Sequence, residues 1–583
     1  MNSSALSIGG LGFWGRVAVV LCVIVLVAAT AVPGINESHY LPKAKHFWDP
    51  TYAPRDLFLN SHDAHFLASA SAGALAQYLS LEAVAWVGRI IAWSFLAVAW
   101  SRLTISVGMK AWHGVIAFLA WYLGCYYGHW SGEWFLGGFE AKAIAYPCVL
   151  LGMTDAMESR WHRCWLWLAM AVAWHPVVGG WAGITVAVAW WCDRRRGDSP
   201  SLWQQRKWIA IAVAISMIGV VPALGGLGSP NREGPYVASQ IHVYFRLAHH
   251  LCPRLFAPER HFAAVISLAT LALLSLAAYR LLPPALRLTN NRRQQWGHRM
   301  LIIVWSSVGI AFTGLGVDLL MSDDRLPTYQ PEVASQILRF YWFRWADVAV
   351  PLGGVMLWWY LLSSVRPSWS LLNNDAAADA THQLVHRSAA GKKTDFLIMG
   401  GSLLGAGAVL ATAADHAWNN FHDTVPPAER LVVVPPGPNA IDSDRLVDWL
   451  AVCAWIREHT PRDSLWLTPK YQQTFKWHTG RSEVVNWKDV PQDNASVIEW
   501  FKRMRRCTPP RDAYGRLRGW TTEELIALAT EFDAPWILVD RSLQLEPPLL
   551  EIKYPIEIVN KSFAVFYVDP ALMKRHAVEE DDR

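Results

Sequence analysis

Charge is what this sequence has least of. Asp, Glu, Lys and Arg make up 17% of its 583 residues, where a soluble globular chain carries about 25%. The shortage lies in apolar stretches that run from the N-terminus to about residue 414, after which an ordinary polar mixture follows. That split excludes a single soluble domain and implies two structural units. No two of the eight cysteines stand as Cys-x-x-Cys, and no zinc or haem spacing occurs, so the usual redox and metal signatures are missing. The C-terminal part contains no Gly-rich phosphate loop and no nucleophile elbow, which removes the common nucleotide and hydrolase motifs. A net charge of only +5 gives no case for nucleic acid as a partner.

What is present is apolar surface and tryptophan. Hydrophobic residues reach 53%, and there are 34 tryptophans, several of which (Trp14, Trp112, Trp190, Trp191, Trp345) flank apolar segments. An indole ring favours the membrane–water interface. A spanning helix needs about 20 mostly apolar residues. Candidates lie near 14–33, 82–101, 111–128, 140–154, 162–175, 177–192, 207–225, 262–282, 300–320, 345–365 and 395–414, the fourth to sixth being short or broken. The first is read as a retained anchor, because no small-residue cleavage site clearly precedes Pro33.

Lysine and arginine stay on the cytoplasmic side. With the N-terminus inside, the inner connections hold Arg194, Arg195, Arg196, Arg206, Lys207, Arg292, Arg293, Arg299, Arg366, Lys392 and Lys393. The outer connections are acidic, with Glu37, Asp49, Asp56, Asp63, Glu133, Glu140, Glu233, Glu259, Asp323 and Glu332. The expected fold class is an α-helical polytopic membrane bundle of about eleven spans followed by a small extracytoplasmic α/β domain. The bundle takes residues 1–414, with a long acidic first outer loop at 34–81. A Pro-rich linker takes 415–440, and the domain 441–583.

Within the domain, Leu446, Trp449, Leu450, Cys453 and Ile456 recur at helical spacing. Strands are expected at Ser464–Thr468, Val484–Val485 and Trp536–Val539, and a helix near 494–506. Thr521 with Glu524 reads as a capping box. Ile556–Val559 and Phe563–Val568 alternate about Asn560–Lys561 as a hairpin would. Cys453 and Cys507 can pair if this part is extracytoplasmic, or stay free.

The candidate chemistry lies on the outer side. The loop from Glu37 to His65 carries Glu37, His39, Lys43, Asp49 and Asp63. Glu37 or Asp63 is the expected catalytic base, since a carboxylate within reach of an acceptor hydroxyl can take its proton. Acids of this kind also suit a divalent cation, although no cofactor is required by any motif. Glu140 and Lys142 open the fourth span, where an ionisable side chain is a functional candidate. His175, in Trp174-His175-Pro176, faces the same side. Arg246, His249 and His250 sit at i, i+3 and i+4, so one helical face would present them to a phosphate. Arg344 and Asp347 are i, i+3 and read as an internal ion pair or as substrate contacts.

One span, a long acidic outer loop, a helical bundle and an outer C-terminal domain resemble the GT-C superfamily of membrane glycosyltransferases. Asn36-Glu37 followed by Tyr40 looks like the acidic pair of that family's first outer loop, with Asn in place of Asp. The chain looks closer still to bacterial polytopic proteins of unknown function, on the stretches Asn36–Leu41, Gly137–Lys142 and Arg246–His250. The resemblance implies a bacterial inner (cytoplasmic) membrane location with the N-terminus cytoplasmic. It also implies transfer of a sugar from a polyprenyl-phosphate-linked donor on the outer face. In that reading Glu37 or Asp63 is the base, and His39, Lys43, Asp49, Glu140, Lys142, His175, Arg246, His249, His250, Arg344 and Asp347 bind substrate. A transporter would need ionisable residues near the midplane and internal repeats. A non-catalytic sensor or envelope assembly factor would scatter the outer acids.

Overall fold

The computed structural model describes residues 11–281, 292–365, 389–433, 443–510, 519–544, 546–554 and 560–581. Helices occupy each of the eleven expected segments, from Phe13–Ala28 to Ala389–His422. Among the described residues, five helices are long and apolar enough to cross a membrane: Leu81–Ser106, Leu202–Gly225, Pro258–Arg280, Gln295–Met321 and Arg344–Ser363. The chain is therefore a multi-pass membrane protein. Local sequence starts these helices. The Ser80 side chain accepts from the Ala83 amide, and Ser201 and Gln204 form a reciprocal capping box at the start of Leu202–Gly225. That last helix buries only Gly219 and turns its aliphatic side chains outward, as a lipid-facing helix does.

The helix ends sort into two poles. At one, Arg16 donates to the Met109 carbonyl at 2.7 Å, Arg102 meets Asp155 at 2.7 Å, and Arg299 binds Asp193 and the Ala156 carbonyl. At the other, Asn420 donates to the Val27 carbonyl at 2.8 Å and the Arg254 amide to Asp318 at 2.9 Å. The C-terminal domain sits on this second pole.

The segment after the first helix was expected as a loop over 34–81. It folds instead as helices Glu37–Trp48, Leu57–Asn60 and Phe66–Ala76. Gly73 lets the first and third approach: a Cβ there would lie 2.0 Å from the Ala44 carbonyl oxygen. The C-terminal boundary also moves. The helix expected to end near 414 runs on to His422, and Arg430–Val433 packs Val432 against Trp449 and Ile456, where a bare linker was expected.

The domain is a five-stranded sheet in the order Ser482–Glu483, Leu465–Leu467, Trp536–Asp540, Phe563–Tyr567, Glu551–Tyr554. The first three strands are parallel and the last two antiparallel to their neighbours. Alternation splits its core. Leu538 joins Trp449, Cys453 and Trp466 on one face; Ile537 and Val539 join Val497, Trp500 and Leu528 on the other. The Thr521–Glu524 capping box is present. Val484–Val485 follow the short strand rather than form it, and the expected strand at Ile556–Val559 lies outside the described residues. Phe563–Tyr567 pairs with Glu551–Tyr554 instead. Cys453 and Cys507 do not pair: all eight cysteines are free, and the two lie in different clusters on either side of the sheet.

Candidate active site

A cavity of about 450 Å³ lies at the domain-side pole. Its apolar wall comes from Ala68 and Ala72 of Phe66–Ala76, Ile184 of Pro176–Arg196, and Val220 and Leu224 of Leu202–Gly225. Its polar wall holds Asn36, Tyr40, Glu140, Lys142, His175 and Arg344. Glu140 is the one acid in this lining among the described residues. Its carboxylate accepts from the Asn36 amide at 2.9 Å and the Trp134 indole at 3.1 Å, and the Lys142 ammonium stands 3.4 Å away. Lys142 also lies over the Trp134 ring at 4.1 Å, so one indole positions both ions.

A second recess of about 120 Å³ shares Asn36, Tyr40, Lys142, Tyr341 and Arg344 with the first, so the two adjoin. It adds Glu133, Arg246 and His250 from the bundle and Lys488 from the domain. Arg344 meets Glu133 at 2.9 Å and the His175 ring at 3.1 Å. Its guanidinium lies 3.9 Å from the centre of the Tyr341 ring. Tyr341 takes φ +54°, a left-handed conformation that a bulky side chain adopts only under constraint from its surroundings. Burial and nearby Glu140 push the Tyr40 phenol upward, which keeps it a hydrogen-bond donor.

The structure gathers about half of the residues expected from sequence. Glu140, Lys142, His175, Arg246, His250 and Arg344 line these cavities, and His39 borders the recess. His175 also caps the helix Pro176–Arg196, its Nδ1 accepting from the Val178 amide at 3.3 Å.

Glu37 lies elsewhere. Its carboxylate is fully buried, takes both Arg89 contacts at 2.7 Å, and accepts the Gly34 and Phe139 amides at 2.7 Å. Those partners saturate it, so it ties the segment after the first helix to Leu81–Ser106 and to the chain before Glu140. Asp63 stands one residue behind the cavity wall formed by Ala64 and His65. One of its oxygens accepts the His65 amide at 2.8 Å, and the other is buried without a hydrogen bond.

Lys43 donates to the Phe58 and Ser61 carbonyls at 2.6 and 2.9 Å, holding the segment together. Asp49 closes a local turn on Thr51. The helical face expected of Arg246, His249 and His250 does not form. A π-helical turn ends at Arg246, Leu247 breaks it, and a new helix starts at Ala248, so His249 is exposed and away from the recess. Asp347 does not pair with Arg344. It accepts the Trp130, Ser131 and Glu133 amides at 2.7, 2.9 and 3.2 Å and shapes the loop that presents Glu133.

Sequence reasoning missed Asn36, Tyr40, Tyr341 and Lys488 as lining residues. Asn36 and Tyr40 flank Glu37, whose charge drew attention from them. Lys488 lies in a polar stretch with no periodic signal. The residues present do not fit a divalent cation. Glu140 has an ammonium and two N–H donors against it, and no group of three or more His, Cys, Asp or Glu side chains converges among the described residues.

Residues 447–507, within the C-terminal domain, match a family described as Domain of unknown function (DUF6798). No curated protein matches the sequence. Among solved structures, the chain is similar to the Archaeoglobus fulgidus oligosaccharyltransferase in its apo form, at 12% identity and TM-score 0.41, over 91% of this chain and 69% of that one. The same archaeal enzyme, AglB, in complex with an inhibitory peptide and a dolichol-phosphate, aligns at 12% identity and TM-score 0.38 over 91% and 69%. Its complex with Zn and sulfate aligns at 13% and 0.40 over 90% and 68%.

Proposed function

We propose that this protein is a membrane glycosyltransferase that takes its sugar from a polyprenyl-phosphate-linked donor at the outer face. The observation that carries the reading is the junction of an apolar cavity with a cation-lined recess, with one carboxylate, Glu140, held against Asn36 and Lys142, which line both. A substrate that fills both must be amphiphilic and anionic, which describes a long apolar chain ending in a phosphate.

In this reading Glu140, rather than Glu37, accepts the proton of the acceptor hydroxyl. The oxygen attacks the anomeric carbon from the face opposite the phosphate, and the phosphate leaves towards Lys142 and Arg344 with inversion at carbon. Asn36 and Trp134 fix the orientation of the base. Asp63, the other base expected from sequence, stands behind the wall, so this reading gives the proton transfer to Glu140 and not to Asp63. The test is transfer from a labelled polyprenyl-phosphate sugar by the full chain in nanodiscs, against a panel of hydroxyl acceptors. Transfer that disappears in Glu140→Gln while the protein stays folded is expected. Undiminished transfer in that variant, or none by the wild type with any donor, sinks the reading.

A further inference from the structure

Four cationic side chains face the recess: Lys142, Arg246, Arg344 and Lys488. Lys142 and Arg344 share one carboxylate, Glu133, at 3.2 and 2.9 Å, and Lys142 also reaches Glu140. Arg246 and Lys488 have no carboxylate partner among the described residues. Arg246 is buried, donates its Nε–H to the Trp487 carbonyl at 2.8 Å, and lies 5.0 Å from the centre of the Trp487 ring. Lys488 is the next residue. Its own amide donates to Asn486 Oδ1 at 2.8 Å, while Asp489 is locked by Lys476 and His39. A rigid turn thus delivers a lysine that makes no hydrogen bond or ion pair through its ammonium among the described residues. Burial and Arg246 push that ammonium down to about 8. Arg246 is buried and Lys488 half-buried, and two like charges placed side by side repel each other unless an anion joins them.

We infer that the recess is a phosphate site for a lipid-linked donor, and that Lys488 makes the C-terminal domain one of its walls. The ligand class is a phosphate ester carried on a long apolar chain, because the recess adjoins the apolar cavity and shares Asn36, Tyr40, Lys142, Tyr341 and Arg344 with it. Arg246 still has its terminal nitrogens to offer a phosphate, and Lys488 its three N–H donors. Occupancy would join bundle and domain through one ligand, so binding the donor and seating the domain are linked. The identity of the lipid rests on the transferase reading; the anion site rests on the unpaired charges.

The experiment measures binding of a radiolabelled polyprenyl monophosphate to the full chain in nanodiscs, with polyprenol and inorganic phosphate as competitors. Thermal unfolding is followed in parallel. Lys488→Met should weaken the lipid phosphate by at least about tenfold, Lys488→Arg should restore most of it, and Arg246→Met should behave like Lys488→Met. The melting temperature of Lys488→Met should not fall, since the side chain has no partner to lose. A fall would mark Lys488 as structural and overturn the inference. So would unchanged affinity in both Met variants, or competition by polyprenol as strong as by the phosphate. Inorganic phosphate competing as well as the lipid would overturn the lipid assignment. Lys488-dependent binding in a protein that transfers no sugar supports the phosphate site while sinking the transferase. Transfer with an unchanged donor KM in Lys488→Met does the reverse.

Discussion

The two poles of the bundle handle buried charge in opposite ways. At the pole away from the domain, ions are paired with one another: Arg299 meets Asp193, the Ala156 carbonyl and Ser159, leaving its Nη2 without a hydrogen bond, and Asp155 collects Arg102, Arg160 and Arg163. At the domain-side pole two kinds of ion stand side by side. Glu37–Arg89 and Asp347 are satisfied entirely by the protein, whereas Glu140, Arg246 and Lys488 keep groups that face a cavity. Ions taken up wholly by the protein build the scaffold, and those that keep a side on a cavity are left for something that arrives later. An acid's distance from the membrane surface therefore says less about its role than the number of its partners.

That contrast can be broken experimentally. The largest effects should come from the two glutamates. Glu140→Gln should lower transfer by about 10²- to 10⁴-fold, the usual worth of a general base, with no loss of melting temperature. Glu37→Gln should do the opposite, destabilising the bundle by about 3–5 kcal/mol because Arg89 is left as an uncompensated buried charge. Arg299→Met at the other pole should destabilise likewise and leave donor affinity in the surviving folded protein unchanged. Calorimetry in nanodiscs beside activity assays separates these cases. A Glu37→Gln protein that is stable but inactive would return Glu37 to the chemistry.

A smaller effect concerns the seam between domain and bundle. Lys476 meets Asp56, Glu483 and Asp489, and Asp489 meets the His39 ring at 2.6 Å. Burial pushes His39 down from 6.5 to about 4, so its contribution to stability is present above pH 6.5 and lost as pH falls towards 4. Burial pushes Glu483 up from 4.5 to about 7, so its contribution is present at low pH and lost as pH rises from 4.5 to 7. Between pH 4.5 and 6.5 the two slopes oppose. Glu483→Gln, which lacks the opposing slope, should therefore lose melting temperature on acidification more steeply than the wild type. A flat profile in the variant would refute this balance. The smallest expected effect is none: with all eight cysteines free, a reducing agent should not move the melting temperature, and a shift would reveal a disulfide.

Much of the fold was legible because it follows local rules. Apolar runs placed the helices, the Thr521–Glu524 pair marked a helix start, and the short apolar run Trp536–Val539 marked a strand. The site was legible only in part. Glu140, Lys142, His175 and Arg344 stood out as ionisable groups at span ends, where few other polar residues compete, and Arg246 by its spacing from His249 and His250. Glu37 stood out for the same reason but has another role, because Arg89, 52 residues later, claims it. Arg344 chose Glu133 over the nearby Asp347 because three backbone amides had already filled that carboxylate. The π-helical turn before His249 separated a triad whose spacing presumed an unbroken α-helix.

By itself, the sequence determined that this chain lives in a membrane, where its helices lie, and which end carries a soluble-like domain, since hydrophobic length and periodicity are properties of neighbours along the chain. Only the tertiary structure decided which acid faces the cavity and that Lys488 reaches it from the domain. Whether an ionised side chain is saturated or open depends on partners that the chain supplies from hundreds of residues away, and no spacing in the sequence records that distance.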